Sequence, residues 1–216
     1  AEGRDRILAL LDDQIETTKV GIKIVKDWAE ANHEMVEKFA TFPTGYLGLS
    51  TPDNGLELFD GDIRLIDRNG KHLETFVDQD YLDYIAEHVE PWSYLKFPYY
   101  KKLGFPEGVY RVGPLGRINL AEQIDTPLAD NELKVFKAIN NGAPVENTLF
   151  YHYARMIETL FACERVRVLL EDPDILSNDI LNTRQQPVGH GVGIIEAPRG
   201  TLIHDYYTDE LGRLEG

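Results

Sequence analysis

Two long helical periodicities, separated by a stretch of short strand-like runs, constrain this chain more than anything else in it. From about Arg4 to Phe39, Ile15, Ile22, Val25, Trp28, Met35 and Phe39 recur at helical spacing with Lys, Asp and Glu between them. Gly21 interrupts the pattern and costs about 1 kcal/mol against alanine. From about Val145 to Glu171, Leu149, Tyr153, Met156, Ile157, Leu160, Val166 and Leu169 give a second broad apolar face. The pattern reads as α+β: two long antiparallel-type helices with shorter helices and small β-hairpins. A chain of 216 residues can bury one sizeable core or two subdomains.

Between the helices the chain divides into recognisable pieces. Phe42-Pro-Thr-Gly45 ends the first helix, and Tyr46 to Leu49 is strand-like. Ile63–Asp67 and His72–Val77 bracket Arg68-Asn69-Gly70-Lys71, and Asn-Gly between two such runs predicts a type I′ hairpin. Its polar alternation predicts a small β insert over about 44–77 with one wet face. Asp78 can cap a helix from Tyr81 to about Glu90. There Leu82, Ile85, Ala86 and Val89 form one stripe, and Asp80, Asp83, Glu87 and Glu90 form an acidic flank. Pro91 stops that helix, and an aromatic loop of Trp92, Tyr94, Phe97, Tyr99 and Tyr100 completes a unit over about 78–100. Short helices are expected over Ile118–Ile124 and Asp130–Asn140, a polar loop over Asp174–Pro187, and a β-hairpin over about 189–214. Gly189-His-Gly-Val-Gly193 resembles a nucleotide-binding glycine run, but a strand follows it where a helix is required.

Composition removes several classes of function. A net charge of −15 argues against nucleic-acid and anionic-membrane surfaces, which need clustered Lys and Arg. One cysteine excludes an internal disulfide framework and a cysteine-based zinc site. Cys163 lies within the apolar pattern of the second helix and reads as an inert core thiol. No apolar run approaches the roughly 20 residues of a membrane span, and no signal peptide is visible.

The chemistry-bearing candidates sit on turns. Ile194–Tyr206 places two apolar runs around a Pro198-Arg199-Gly200 corner, with Gly200 able to take positive φ and Pro198 suited to a strand end. Arg199 there presents five donors from a stiff bend, either to an anion or polar cluster or simply to water and Glu196. The acidic flank is either a solvated face or, at Glu87, a group facing a hydrated divalent cation. Arg117 follows Gly113-Pro-Leu-Gly116, a bend or close backbone approach, and is a weaker site candidate.

Three motifs in order resemble nickel–iron hydrogenase large subunits: Glu87-His-Val-Glu-Pro-Trp-Ser-Tyr-Leu-Lys-Phe-Pro-Tyr99, Val112-Gly-Pro-Leu-Gly-Arg117 and Glu196-Ala-Pro-Arg-Gly-Thr-Leu-x-His204. Within the family the chain most resembles the cytoplasmic NAD-reducing (bidirectional) type. The family holds its metals with two Cys-x-x-Cys pairs, one near each end of the large subunit, and neither is present. The chain therefore looks like the central segment of such a protein without its Cys-bearing ends, and a start at Ala1 suits an excised piece. The resemblance implies an intact enzyme that cleaves or evolves hydrogen heterolytically at a nickel–iron centre with cyanide and carbon monoxide ligands. Electrons would pass through an iron–sulfur small subunit, then diaphorase subunits, to NAD, in the cytoplasm, with no nucleic-acid or membrane partner. Arg199 would overhang the metals, and Pro198 and Arg199 would help hold the cyanides. Glu87 and Lys96 would lie in the second shell of a magnesium ion. The nickel and iron ligands would come from outside this chain, which alone should bind no cofactor and be inactive, with exposed apolar area on the long helices. The alternative is a non-catalytic interaction module of the same fold, related to the quinone-reducing respiratory complex subunit. An unrelated carboxylate metalloenzyme using Asp80, Asp83 and Glu87 is a third option.

Overall fold

The longest element in the computed structural model, which describes residues 2–181 and 189–215, is helix α1, Glu2–Ala31. The single helix expected to Phe39 breaks at Asn32, whose ψ of 29° leaves the helical region, and resumes as α2, His33–Lys38. The Asn32 side chain donates to the Trp28 carbonyl, an alternative to continued helix that asparagine readily offers. The second long helix, α6, spans Tyr151–Glu171 after a 3₁₀ turn at Thr148–Phe150, so it starts later than its apolar pattern. The two run antiparallel. Asp12 near one end of α1 pairs with Arg167 near the far end of α6, and Lys26 lies over the Tyr153 ring. At Gly21 the Met156 methyl occupies the space a side chain would take, 2.5 Å from an added Cβ, so the helical weak point is also a packing site.

Leu11, Ile15, Thr18, Ile22 and Ala29 form the buried stripe of α1, while Ile7, Leu10, Ile24 and Trp28 are exposed. Val166, Val168 and Leu169 of α6 are exposed as well. Trp28, Met35, Phe39, Val166 and Leu169 therefore do not join the core that their spacing suggested.

The second layer is a four-stranded sheet of β1 (Gly45–Ser50), β2 (Asp62–Ile66), β3 (His72–Phe76) and β6 (Tyr110–Arg111), in the order β3-β2-β1-β6. Helix α4, Gly113–Leu120, leaves the end of β6 almost at once and crosses the sheet. The β2–β3 hairpin does not keep the wet face expected of it. Ile63 and Leu65 join Leu47 and Leu49 on one face, and Ile66 packs with Tyr46 and Leu120 on the other. The turn also differs from type I′: Gly70 alone among residues 68–70 has positive φ, and Asp67 Oδ1 accepts from the Asn69 and Lys71 N–H groups. The carboxylate thus closes a type I turn with a glycine bulge.

The acidic helix expected from Tyr81 to Glu90 does not form. Helix α3 covers only Tyr81–Tyr84, and Ile85–Val89 is strand β4, paired antiparallel with β5, Lys96–Tyr100. Cross-strand partners decide this: Ile85 faces Tyr100, Ala86 faces Tyr99 and His88 faces Phe97, with the His88 ring stacked 3.9 Å from Phe105. Such pairs reward a pleated surface and outweigh a short helical period. Asp80, Asp83 and Glu87 consequently lie on three different elements and share no face.

Helix α5, Pro127–Ala138, lies against α6, and strands β7 (His190–Glu196) and β8 (Thr201–Tyr207) form a final hairpin. The polar loop expected over Asp174–Pro187 begins with a 3₁₀ turn at Pro173–Leu176, and its residues 182–187 lie outside those described. No helix of the described residues is long and apolar enough to cross a membrane.

The α5 N-terminus takes its cap from another helix. Glu164 of α6 accepts from the Leu128 and Ala129 N–H groups at 3.0 and 2.9 Å, while the buried Thr126 hydroxyl at the N-cap has no partner among the described residues. Glu164→Gln removes the charge at the positive end of the helix and should cost about 1–2 kcal/mol in chemical denaturation. A pH dependence follows from Asp130. The hydrogen bond from Lys134 holds its carboxyl below the usual 3.8. A depressed carboxyl contributes stability above its unfolded value and loses it as pH falls through the folded value. Melting temperature should therefore drop below about pH 4, and Asp130→Asn should flatten that drop.

Candidate functional site at the Pro198–Arg199 corner

Strands β7 and β8 are joined by a tight turn. Ala197 N–H donates to the Gly200 carbonyl at 2.8 Å, and Gly200 N–H donates back at 3.2 Å. Neither Arg199 nor Gly200 has positive φ, so Gly200 does not serve the turn as its residue type suggested. It serves a contact instead: a Cβ there would collide with Val112 Cγ2. The reciprocal position is Gly113, with φ of 76°, where a Cβ would stand 2.6 Å from the Arg199 carbonyl oxygen. The two glycines let the corner lie directly on the start of α4. This is the physical link between the Val112–Arg117 and Glu196–His204 motifs.

Beneath the corner Arg117 makes a buried network. Its Nε and Nη2 donate to Glu158 of α6 at 2.5 and 3.0 Å. Its Nη1 donates to Glu196 Oε2 at 2.6 Å and to the Ala197 carbonyl at 3.0 Å. The other Glu196 oxygen accepts from the Leu49 N–H of β1 and from the Thr201 hydroxyl, both at 2.9 Å. Arg155 adds a bond from Nη2 to the Pro198 carbonyl at 2.7 Å. The side chains of Arg117 and Glu196 are 3% and 0% exposed. Burial alone would lower the Arg117 pKa, but the hydrogen bond and charge of Glu158, with Glu196 behind them, hold it above its ordinary value. Burial pushes the Glu158 carboxyl up against the pull of Arg117.

Arg199 itself is exposed and has no hydrogen-bond or ion-pair partner among the described residues. Glu196, the partner that a simple surface hairpin would give it, belongs to Arg117. The backbone of the corner is fixed, and among the described residues its guanidinium is left uncommitted.

Glu87 and Lys96 do meet. Glu87 stands opposite Pro98, Lys96 is its diagonal neighbour on the same face, and Nζ lies 2.8 Å from Oε2. Both side chains are more than half exposed, 51% and 59%, so the pair contributes about 0–1 kcal/mol. Glu87 also lines a cleft of about 900 Å³ with Tyr81, Phe97, Tyr110 and the Thr201–Ile203 run of β8. The cleft therefore brings together Glu87 and the strand that leaves the corner; Lys96, Pro198 and Arg199 stand outside its lining. Tyr81 on its wall donates to Asp205 at 3.0 Å.

No three His, Cys, Asp or Glu side chains converge to hold a metal ion among the described residues. Cys163 is half-buried against the α5–α6 core. The donor set here does not fit a thiolate-bound nickel–iron centre.

No protein-family model matches the chain. It is 44% identical over 211 residues to one component of the F420-non-reducing hydrogenase vhu of Methanocaldococcus jannaschii, across 98% of this chain and 50% of that protein. It is 39% identical over 214 residues to the NAD-reducing hydrogenase HoxS subunit beta of Cupriavidus necator, across 98% and 44% respectively. The crystal structure of an NAD+-reducing NiFe-hydrogenase in the H2-reduced state superposes with a TM-score of 0.92 at 33% identity, over 99% of this chain and 48% of that one. A NiFeSe hydrogenase variant of Desulfovibrio vulgaris Hildenborough, at 18% identity and TM-score 0.67, shares the fold. This chain is thus a homologue of nickel–iron hydrogenase subunits and carries part of the large-subunit fold. It spans about half the length of the curated relatives it matches. Among them stand both the NAD-reducing and the F420-non-reducing kind, and identities of 39% and 44% do not single out an electron acceptor.

The network and the corner should respond oppositely to mutation. Glu196→Ala leaves a buried guanidinium short of charge and strands the Leu49 N–H, and should cost about 3–5 kcal/mol. Arg199→Ala should change stability by no more than about 0.5 kcal/mol. Urea denaturation of both variants checks the contrast.

Proposed function

We propose that this chain is the part of a nickel–iron hydrogenase large subunit that sets Pro198 and Arg199 against the metal centre. The observation that carries the reading is the corner: an immobilised backbone whose guanidinium has no partner among the described residues, in a chain homologous to hydrogenase subunits. When bound, a nickel–iron centre with cyanide and carbon monoxide ligands supplies the heterolytic cleavage or formation of hydrogen. Its ligands come from outside this chain. The guanidinium of Arg199 is a cation by its chemistry. Its task in this reading is electrostatic, stabilising negative charge from a fixed position. Glu196, Arg117 and Arg155 hold the corner in place. The Pro198 ring stiffens it.

Glu87 and Lys96 in this reading support a hydrated magnesium ion at second hand, through water and neighbouring ligands. Their exposure and their place beside the cleft leave them able to do so. The intact enzyme passes electrons through an iron–sulfur small subunit to diaphorase subunits and NAD, in the cytoplasm. The NAD-reducing relative and the NAD+-reducing structure accord with NAD as acceptor, and the F420-non-reducing relative makes another acceptor the competing reading.

The test is Arg199→Ala in the full-length large subunit within its complex. Hydrogen-dependent NAD+ reduction should fall at least about 100-fold while nickel content stays at wild-type level. A rate within about twofold of wild type with nickel retained overturns the reading. The chain purified by itself should contain no stoichiometric nickel by elemental analysis and take up no hydrogen.

A further inference from the structure

On the side of the sheet away from the cleft, two cations meet in a cavity of about 180 Å³. Arg64 rises from the central strand β2, and its side chain is only 8% exposed. Its Nη1 donates to the Leu120 carbonyl at 2.9 Å and its Nη2 to Glu122 Oε1 at 2.7 Å. Its buried Nε–H has no partner among the described residues. Lys137, in the last turn of α5, points to the same place. Among the described residues its one bond is a long contact of 3.4 Å from Nζ to the Asn119 carbonyl. Desolvation, reinforced by the charge of Arg64, pulls the Lys137 pKa below 10.5 against the opposing pull of Glu122.

Charge is not balanced here. Two cations face one carboxylate, and that carboxylate is 56% exposed. The carbonyls at the end of α4 offset part of the surplus, since a helix C-terminus carries about half a negative charge. They occupy one donor of each cation and leave the remaining ammonium hydrogens of Lys137 without protein acceptors among the described residues. The overall charge of −15 acts on the cavity only weakly at physiological salt, because charges farther than about 8 Å are largely screened, and the local surplus is positive.

We propose that this cavity binds a small free oxyanion of the phosphate or sulfate class, held by Lys137 with Arg64 behind it. At about 30 Å³ per water, the space holds roughly six waters, enough for a tetrahedral anion with a partial hydration shell. The Gly142–Pro144 loop and the Gly70 turn meet at its rim.

Calorimetric titration of the purified protein with inorganic phosphate and with sulfate, against chloride at equal ionic strength, tests this. Saturable binding is expected with phosphate or sulfate and not with chloride. Lys137→Met should weaken it at least tenfold while leaving the melting temperature in chloride unchanged or higher, because a like charge beside Arg64 is removed. Glu122→Gln should tighten it, an effect that a purely structural role for these residues does not produce. Absence of saturable binding, equal affinity in Lys137→Met, or affinity that is unchanged or weaker in Glu122→Gln overturns the proposal.

Discussion

The buried guanidinium of Arg117 is the interaction on which the arrangement depends. It stands where α4, α6 and β7 converge, and through Glu196 it reaches β1 as well. Removing water from such a group is expensive, and only full pairing makes it tolerable. Here two carboxylates and a carbonyl provide that pairing. The geometry that results is specific: Glu196 cannot shift without breaking bonds to Arg117, Leu49 and Thr201 together. A corner a few residues further along the chain inherits that fixity. A packed hydrophobic contact of equal energy would tolerate sliding; a carboxylate held by three directed hydrogen bonds does not.

Tolerance and intolerance are therefore sharply partitioned within a few residues. Gly113 and Gly200 leave no volume for a side chain at the contact between α4 and the corner. Arg199, between them and solvent, is bound by nothing among the described residues. A side chain fixed at its root and unconstrained at its tip suits a group whose partner lies outside the chain. The exposed apolar residues of α1 and α6, Ile7, Leu10, Ile24, Trp28, Val168 and Leu169 among them, are of the kind a partner surface covers.

How much of this is legible in the sequence depends on the range of the interaction. The strands on either side of Pro198–Gly200 can be read because alternation and punctuation are local. So can the two long helices, whose period persists over many turns. The strand at Ile85–Val89 cannot, because Leu82, Ile85, Ala86 and Val89 fit a helical stripe equally well. Only the pairing with Phe97–Tyr100 decides between them. Gly200 misleads for the same reason. A turn glycine suggests positive φ, whereas the actual requirement comes from Val112, far back in the chain. Arg117 stands out through its glycine-flanked motif, but its partners lie 41 and 79 residues away and no local pattern announces them. The family resemblance supplies what local physics does not: it groups the Val112–Arg117 and Glu196–His204 stretches as parts of one signature, and the structure shows them in contact.

The antiparallel pairing of α1 with α6 has a consequence for the order of assembly. Asp12 and Arg167 are 155 residues apart, so α1 is synthesised well before the helix it packs against. At ~5–20 residues per second, translation leaves α1 waiting about 8–30 s. Throughout that interval its apolar stripe lacks the α6 surface that buries it in the folded structure. The longest helix among the described residues is thus one of the later elements to gain its packing partner.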